Sequence, residues 1–253
     1  MIAFKKIHLL LITSLILTVN AALGEIKNGY ESEIEGIRTS LNGLITLLNQ
    51  DSDLSMFQRA AIKNKVDKLV EYITYFELTE ELLEQFRSIA PGLYNEVDTI
   101  KDCTGRKVNV FVRFVSENEM QRGAAGTTNL DHLPNDKNIY QSEYGPYTVS
   151  IKIASMKRSL FLLAHEFGHV KYQAPNLATY IEFYSLHYQN GIFNSSYIGH
   201  NSNDPSGQKA LEYENIFRQQ YQIIVKDQSF KPENPLARLQ EIRKNIKSTP
   251  ETL

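Results

Sequence analysis

The stretch LLAHEFGHV, residues 162–170, constrains this chain more than any other. Leu160 to Ala164 are apolar on every side of a helix, which marks a segment buried nearly all round. Yet His165, Glu166 and His169 follow directly in the H-E-x-x-H pattern. Positions i and i+4 lie on one helix face, so both imidazoles can meet one cation. Glu166 projects about 100° round the helix from His165, where it reaches a cation-bound water without occupying the cation. Burying two imidazoles and a carboxylate without compensation is costly. The pattern therefore points to Zn2+ held by His165 and His169, with Glu166 as general base. Gly168 keeps the crowded face slim. The competing reading is an apolar helix whose two histidines are satisfied by other partners.

The flanks suit that reading. Val108, Val110, Val112 and Phe114 alternate as in a strand, and Thr148 to Ala154 alternates again, with Val149, Ile151 and Ile153 against Ser150 and Lys152. The second run is expected to be a strand with one wet face leading into the motif helix. Between them, Glu117 to Gly145 is polar and glycine-containing, mostly loop with some hairpin. Residues 25–90 read as helical, with Asp51 and Asp53 as turn and N-cap, and with Thr79 opening a short helix that Pro91–Gly92 ends. After the motif, helices are expected over about Leu177 to Gln189, Gln208 to Val225 and Leu236 to Ile246.

The extreme N-terminus belongs outside the fold. Lys5 and Lys6, an apolar run from Ile7 to Val19 and small residues through Gly24 form the pattern of a secretory signal peptide. Cleavage after Ala21 or Gly24 fits. The run is shorter than the roughly 20 apolar residues a bilayer crossing takes, so no stable membrane insertion is expected after cleavage. An uncleaved anchor is the alternative. The expected destination is outside the cytoplasm, secreted or periplasmic. Cys103 is the single cysteine, so no intrachain disulfide can form there. It reads as a turn or core residue in preference to a nucleophile. A formal net charge of −2 leaves no basic footprint for nucleic acid.

HEFGH after an alternating strand resembles the zincin superfamily of zinc metallopeptidases, over about residues 148–221. The resemblance implies an α+β, zincin-like fold, mostly helical, with a small mixed sheet whose edge strand precedes the H-E-x-x-H helix. That strand, Thr148 to Ala154, would pair with extended substrate. With the N-terminal pattern and the helical periodicities, which lie outside the resemblance, the divisions expected are a signal peptide at 1–24, a helical N-terminal region at 25–92, the zincin-like domain at 93–226, and a linker with a C-terminal helix at 227–253.

A catalytic zinc usually has three protein ligands and one open position. The metzincin extension would need glycine at 172 and histidine at 175, where this chain has Tyr172 and Pro175. The resemblance then favours a gluzincin-like site with a glutamate from a later helix: Glu182, Glu212 or Glu214. Ala210, Tyr213, Phe217 and Tyr221 form the buried stripe of the Gln208–Val225 helix, and Glu214 falls inside it while Glu212 lies nearly opposite. On the Leu177–Gln189 helix, Glu182 points away from the stripe. Glu214 is the favoured third ligand, with an ion pair to Arg218 as its competing role. Asp204 is a rival ligand, although Asp204–Pro205–Ser206–Gly207 reads first as a turn that starts a helix.

ALEYENIFR is also similar to the Glu-Asn-x-x-Arg segment of some bacterial zincins, including secreted effector-type peptidases. That would make Asn215 and Arg218 supporting residues. His187, Tyr197 and His200 are candidates for stabilising an oxyanion, each with a capping or surface role as the alternative. His132 reads as a loop residue. The function expected is hydrolysis of a peptide or protein substrate. A zinc-dependent amidase acting on a non-peptide or cell-wall amide, a non-catalytic zinc-binding module and a purely helical interaction protein are the alternatives.

Overall fold

A computed structural model describes residues 25–51, 53–102, 105–120, 124–130, 148–154, 159–175, 188–189, 192–193 and 204–226. In chain order these form β1 (Ile26–Asn28), α1 (Glu31–Gln50), α2 (Met56–Ile89), α3 (Pro91–Asp98), β2 (Asn109–Phe114), a single 3-10 turn (Glu117–Glu119), β3 (Gly126–Leu130) and β4 (Thr148–Ile153). The motif helix α4 (Ser159–Gln173), a short hairpin of β5 (Tyr188–Gln189) and β6 (Ile192–Phe193), and α5 (Pro205–Lys226) complete them. The class is α+β, mostly helical, with a small mixed sheet. No described helix is long and apolar enough to cross a membrane.

The sheet order is β1-β2-β4-β3, parallel from β1 through β4 and antiparallel between β4 and β3. This corrects one expectation. The strand before the motif helix is interior, and the edge strand beside it is β3. The face expected to be wet is mostly covered too: Val149, Ile151 and Ile153 are fully buried, and on the other face Ser150 is nearly so while Lys152 is half-buried. β2 keeps the expected alternation, burying Val110, Val112 and Phe114.

The N-terminal region differs from its helical reading in three places. Ile26–Asn28 is a strand, because its backbone pairs in register with Val110 to Val112. The cap of α2 is Ser55, in a reciprocal capping box with Gln58, while Asp51 caps the end of α1 and makes the Asx turn to the Asp53 amide. Thr79 starts no helix. It sits inside α2, bonded back to the Tyr75 carbonyl and accepting the Phe114 amide at 2.9 Å, which ties the helix to the end of β2. Ile89 ends α2, and Pro91 stands at the first turn of α3, where a missing N–H costs nothing.

One apolar cluster joins the sheet to the second half of α2, to α3, α4 and α5: Leu82, Phe86, Val97, Val110, Ile151, Leu163, Phe167 and Phe217 all belong to it. Phe86 stacks on Phe217 at 4.8 Å and meets Phe167 edge-on at 5.0 Å. A second cluster, around Ile34, Leu41, Val70 and Ile73, holds α1 against the first half of α2. Tyr188 and Gln189, expected to end a helix, form a strand paired with Ile192–Phe193. Residues 176–187, 131–147, 1–24 and 227–253, where the rest of that helix, much of the polar loop, the signal peptide and the C-terminal helix are expected, lie outside the described residues.

Candidate metal centre

Helices α4 and α5 run in opposite directions, and their contacts follow one register. Arg218 lies over the Phe161 ring at 5.1 Å, Glu214 faces His165, Gly168 meets Lys209 and Ala210, and Ser206 bonds both His169 and Gln173. Gly168 makes the approach close. A Cβ there would stand 2.5 Å from Ala210 Cα and 2.6 Å from the Lys209 carbonyl oxygen, both backbone atoms that cannot swing aside.

Of the expected stripe of α5, Ala210, Tyr213 and Phe217 are at most 2% exposed, while Tyr221 is only partly buried against the core. Glu214 sits at the stripe's border and divides its oxygens. Oε1 accepts from Arg218 at 2.8 Å, and Oε2 stands 3.4 Å from His165 Nδ1. The second distance is long for a hydrogen bond, which seldom exceeds about 3.2 Å. It equals the separation of about 3.4 Å between two donors of one tetrahedral zinc. The rings of His165 and His169 lie 5.0 Å apart, centre to centre.

The donor types are ones that zinc takes, and one donor pair, His165 Nδ1 and Glu214 Oε2, stands at a separation one ion could bridge. No group of three His, Cys, Asp or Glu side chains among the described residues stands ready to hold a metal ion as placed.

Glu166 is buried, at 4% exposure. Its carboxylate lies under the edge strand: the Thr128 hydroxyl donates to Oε2 at 2.6 Å. A Cβ on Gly126 would sit 2.5 Å from Oε1, so glycine is what lets β3 lie against the acid. Nothing local in the sequence marks Thr128 or Gly126, because both matter only through a strand that folds back from 38 or more residues away.

The other candidates fall as follows. Glu212 faces water and pairs with Lys209, as its position on the helix requires. Asp204 is buried and its carbonyl accepts the Gln208 amide at 2.9 Å, which makes it the start of α5. Glu214 makes the ion pair with Arg218 that is its competing role, and Asn215 is exposed. Glu182, His187, Tyr197, His200, His132 and Cys103 lie outside the described residues. Ser206 and Gln173 were not among the sequence candidates. Gln173 is four residues after His169, a spacing that would have flagged it.

No family model matches this chain, and no curated protein or solved structure is significantly similar to it. The zincin resemblance therefore stands on the residues named above.

Proposed function

We propose that this chain is an exported, gluzincin-like zinc metallopeptidase. The observation that carries the reading is the α4–α5 register, which sets Glu214 3.4 Å from His165, one turn before His169. His165, His169 and Glu214 are the residues that hold the ion. When bound, zinc acidifies a water and polarises the scissile carbonyl. Glu166 takes the proton from the attacking water and returns it to the leaving amine nitrogen. Thr128 holds that carboxylate by its Oε2 atom. The outer edge of β3, opposite β4, suits an extended peptide added as a further strand. This moves the substrate-pairing role from β4 to β3. Export rests on the N-terminal segment alone, whose charged start, short apolar run and small-residue exit fit a signal peptide.

The test is elemental analysis of the full chain and of Glu214→Ala, paired with peptide hydrolysis by the wild type and by Glu166→Gln. About one zinc per chain is expected, lost in Glu214→Ala, with hydrolysis abolished in Glu166→Gln while its zinc remains. Absence of zinc after reconstitution overturns the reading. Zinc without hydrolysis of peptides, but with cleavage of a cell-wall amide, replaces the peptidase by an amidase. Zinc with neither activity leaves a binding module.

A further inference from the structure

Ser206 is fully buried and Gln173 nearly so, and neither is used by the chemistry proposed above. Ser206 stands in the first turn of α5, where a serine ordinarily turns back to cap its own helix. Here its Oγ reaches across to α4 instead, 2.8 Å from His169 Nδ1 and 2.9 Å from Gln173 Nε2.

Donor counting fixes part of this relay. An amide nitrogen only donates, so Gln173 gives its hydrogen to Oγ and occupies one of two lone pairs. Oγ keeps a second lone pair and a hydrogen of its own, so it can accept an Nδ1–H from His169 or donate to a bare Nδ1; a cation held at Nε2 requires the first. A neutral imidazole carries one ring proton, and the partner of one nitrogen decides the state of the other. A proton kept on Nδ1 makes Nε2 the nitrogen with the electron pair, and Nε2 is the atom His169 offers to a cation.

We propose that Ser206, backed by Gln173, is the positioning residue for His169: it fixes ring orientation and the Nδ1–H tautomer. The inference rests on the zinc reading. It adds that α5 addresses both histidines, His165 through Glu214 and His169 through Ser206, two turns apart on one helix. The Gly168–Ala210 contact sets the helix separation at which both reach.

The experiment uses the full chain, with zinc affinity measured by chelator competition and the His169 tautomer by nitrogen NMR of the metal-free protein. Ser206→Ala is expected to weaken zinc binding about 10- to 100-fold and to lose the Nδ1–H preference. Gln173→Met, which keeps the volume, is expected to weaken it less than about 10-fold. Tyr213→Phe serves as the control, because it removes a part-buried hydrogen bond on the same helix, to Glu96 and not to either histidine. Its zinc affinity should match the wild type. An unchanged affinity in Ser206→Ala, or an equal loss in Tyr213→Phe, overturns the inference alone. A wild-type chain that takes up no zinc overturns the metallopeptidase reading and this inference with it.

Discussion

The two halves of α2 lie in different surroundings although they form one continuous helix. Among the described residues the first half packs against α1, along a seam of Leu41, Ile34, Val70 and Ile73, and its opening residues Met56 and Phe57 are 78% and 83% exposed. The second half is enclosed by the sheet, α3, α4 and α5, and presents Phe86 to two aromatic rings at once. A helix against one partner buries a stripe. A helix among several partners buries most of its circumference and couples them to one another. The candidate centre is attached to the enclosed half, because Phe167, between Glu166 and Gly168, is one of the rings on Phe86.

Substitutions can break this contrast in order of size. Phe86→Ala should cost about 3–5 kcal/mol in urea unfolding and loosen α4 along with α2, since it leaves a void that Phe167 and Phe217 both line. Leu41→Ala should cost about 2 kcal/mol, near the low end for such changes, because a one-sided seam can collapse. Hydrogen exchange sharpens the point: amides of α1 and the first half of α2 should exchange faster in Leu41→Ala, with those of α4 unchanged. Equal acceleration in α4 would show the two halves to be one cooperative unit.

Gly168→Ala should cost about 1–3 kcal/mol by driving α4 and α5 apart. It should also weaken zinc binding by more than its stability loss accounts for, because Glu214 and Ser206 retreat together.

Tyr213→Phe should cost about 1 kcal/mol, a modest figure because the Glu96 carboxylate that Tyr213 bonds at 2.6 Å is about half exposed. Its signature lies in pH. Burial, and then the bond to Glu96, push the Tyr213 phenol well above its usual value. The stability it contributes is complete below about pH 10, where the unfolded phenol titrates, and falls as pH rises beyond that. The Tyr213 hydrogen bond, with Lys171, holds the Glu96 carboxyl below its ordinary value against a smaller opposing effect of burial. That contribution is present above about pH 4.3 and is lost as pH falls through the folded value. Tyr213→Phe should flatten both limbs of a stability–pH curve. The smallest effect is expected at the outer tip, where Phe57→Ser should change stability by under about 0.5 kcal/mol.

What was legible in the sequence follows the range of the interactions. β2 could be read from the alternation of Val108 to Phe114, and the stripe of α5 from Ala210, Tyr213 and Phe217, because a face is fixed by spacing along one element. Thr79 and Asp51 misled for the same reason: each carries a local start signal, but Thr79 is engaged by β2 and Ser55 takes the cap from Asp51. β1 has no period to read in three residues, and becomes a strand only because Val110 to Val112 lie alongside. β4 was recognisable as a strand, whereas its interior place required knowing that β3 returns antiparallel on its far side.

By itself the sequence determined that His165 and His169 share a helix face, that Glu166 stands beside them, and that Glu214 lies on the side of its helix that carries the buried stripe. These follow from about 100° of turn per residue, which no distant contact alters. Tertiary structure alone decided which partner each side chain meets: Glu214 at His165, Ser206 at His169, Thr128 on Glu166. Those meetings depend on the distance between two helices and the return of one strand. Gly168 and Gly126 permit them by what they lack, and a missing side chain has no meaning until its neighbour is known.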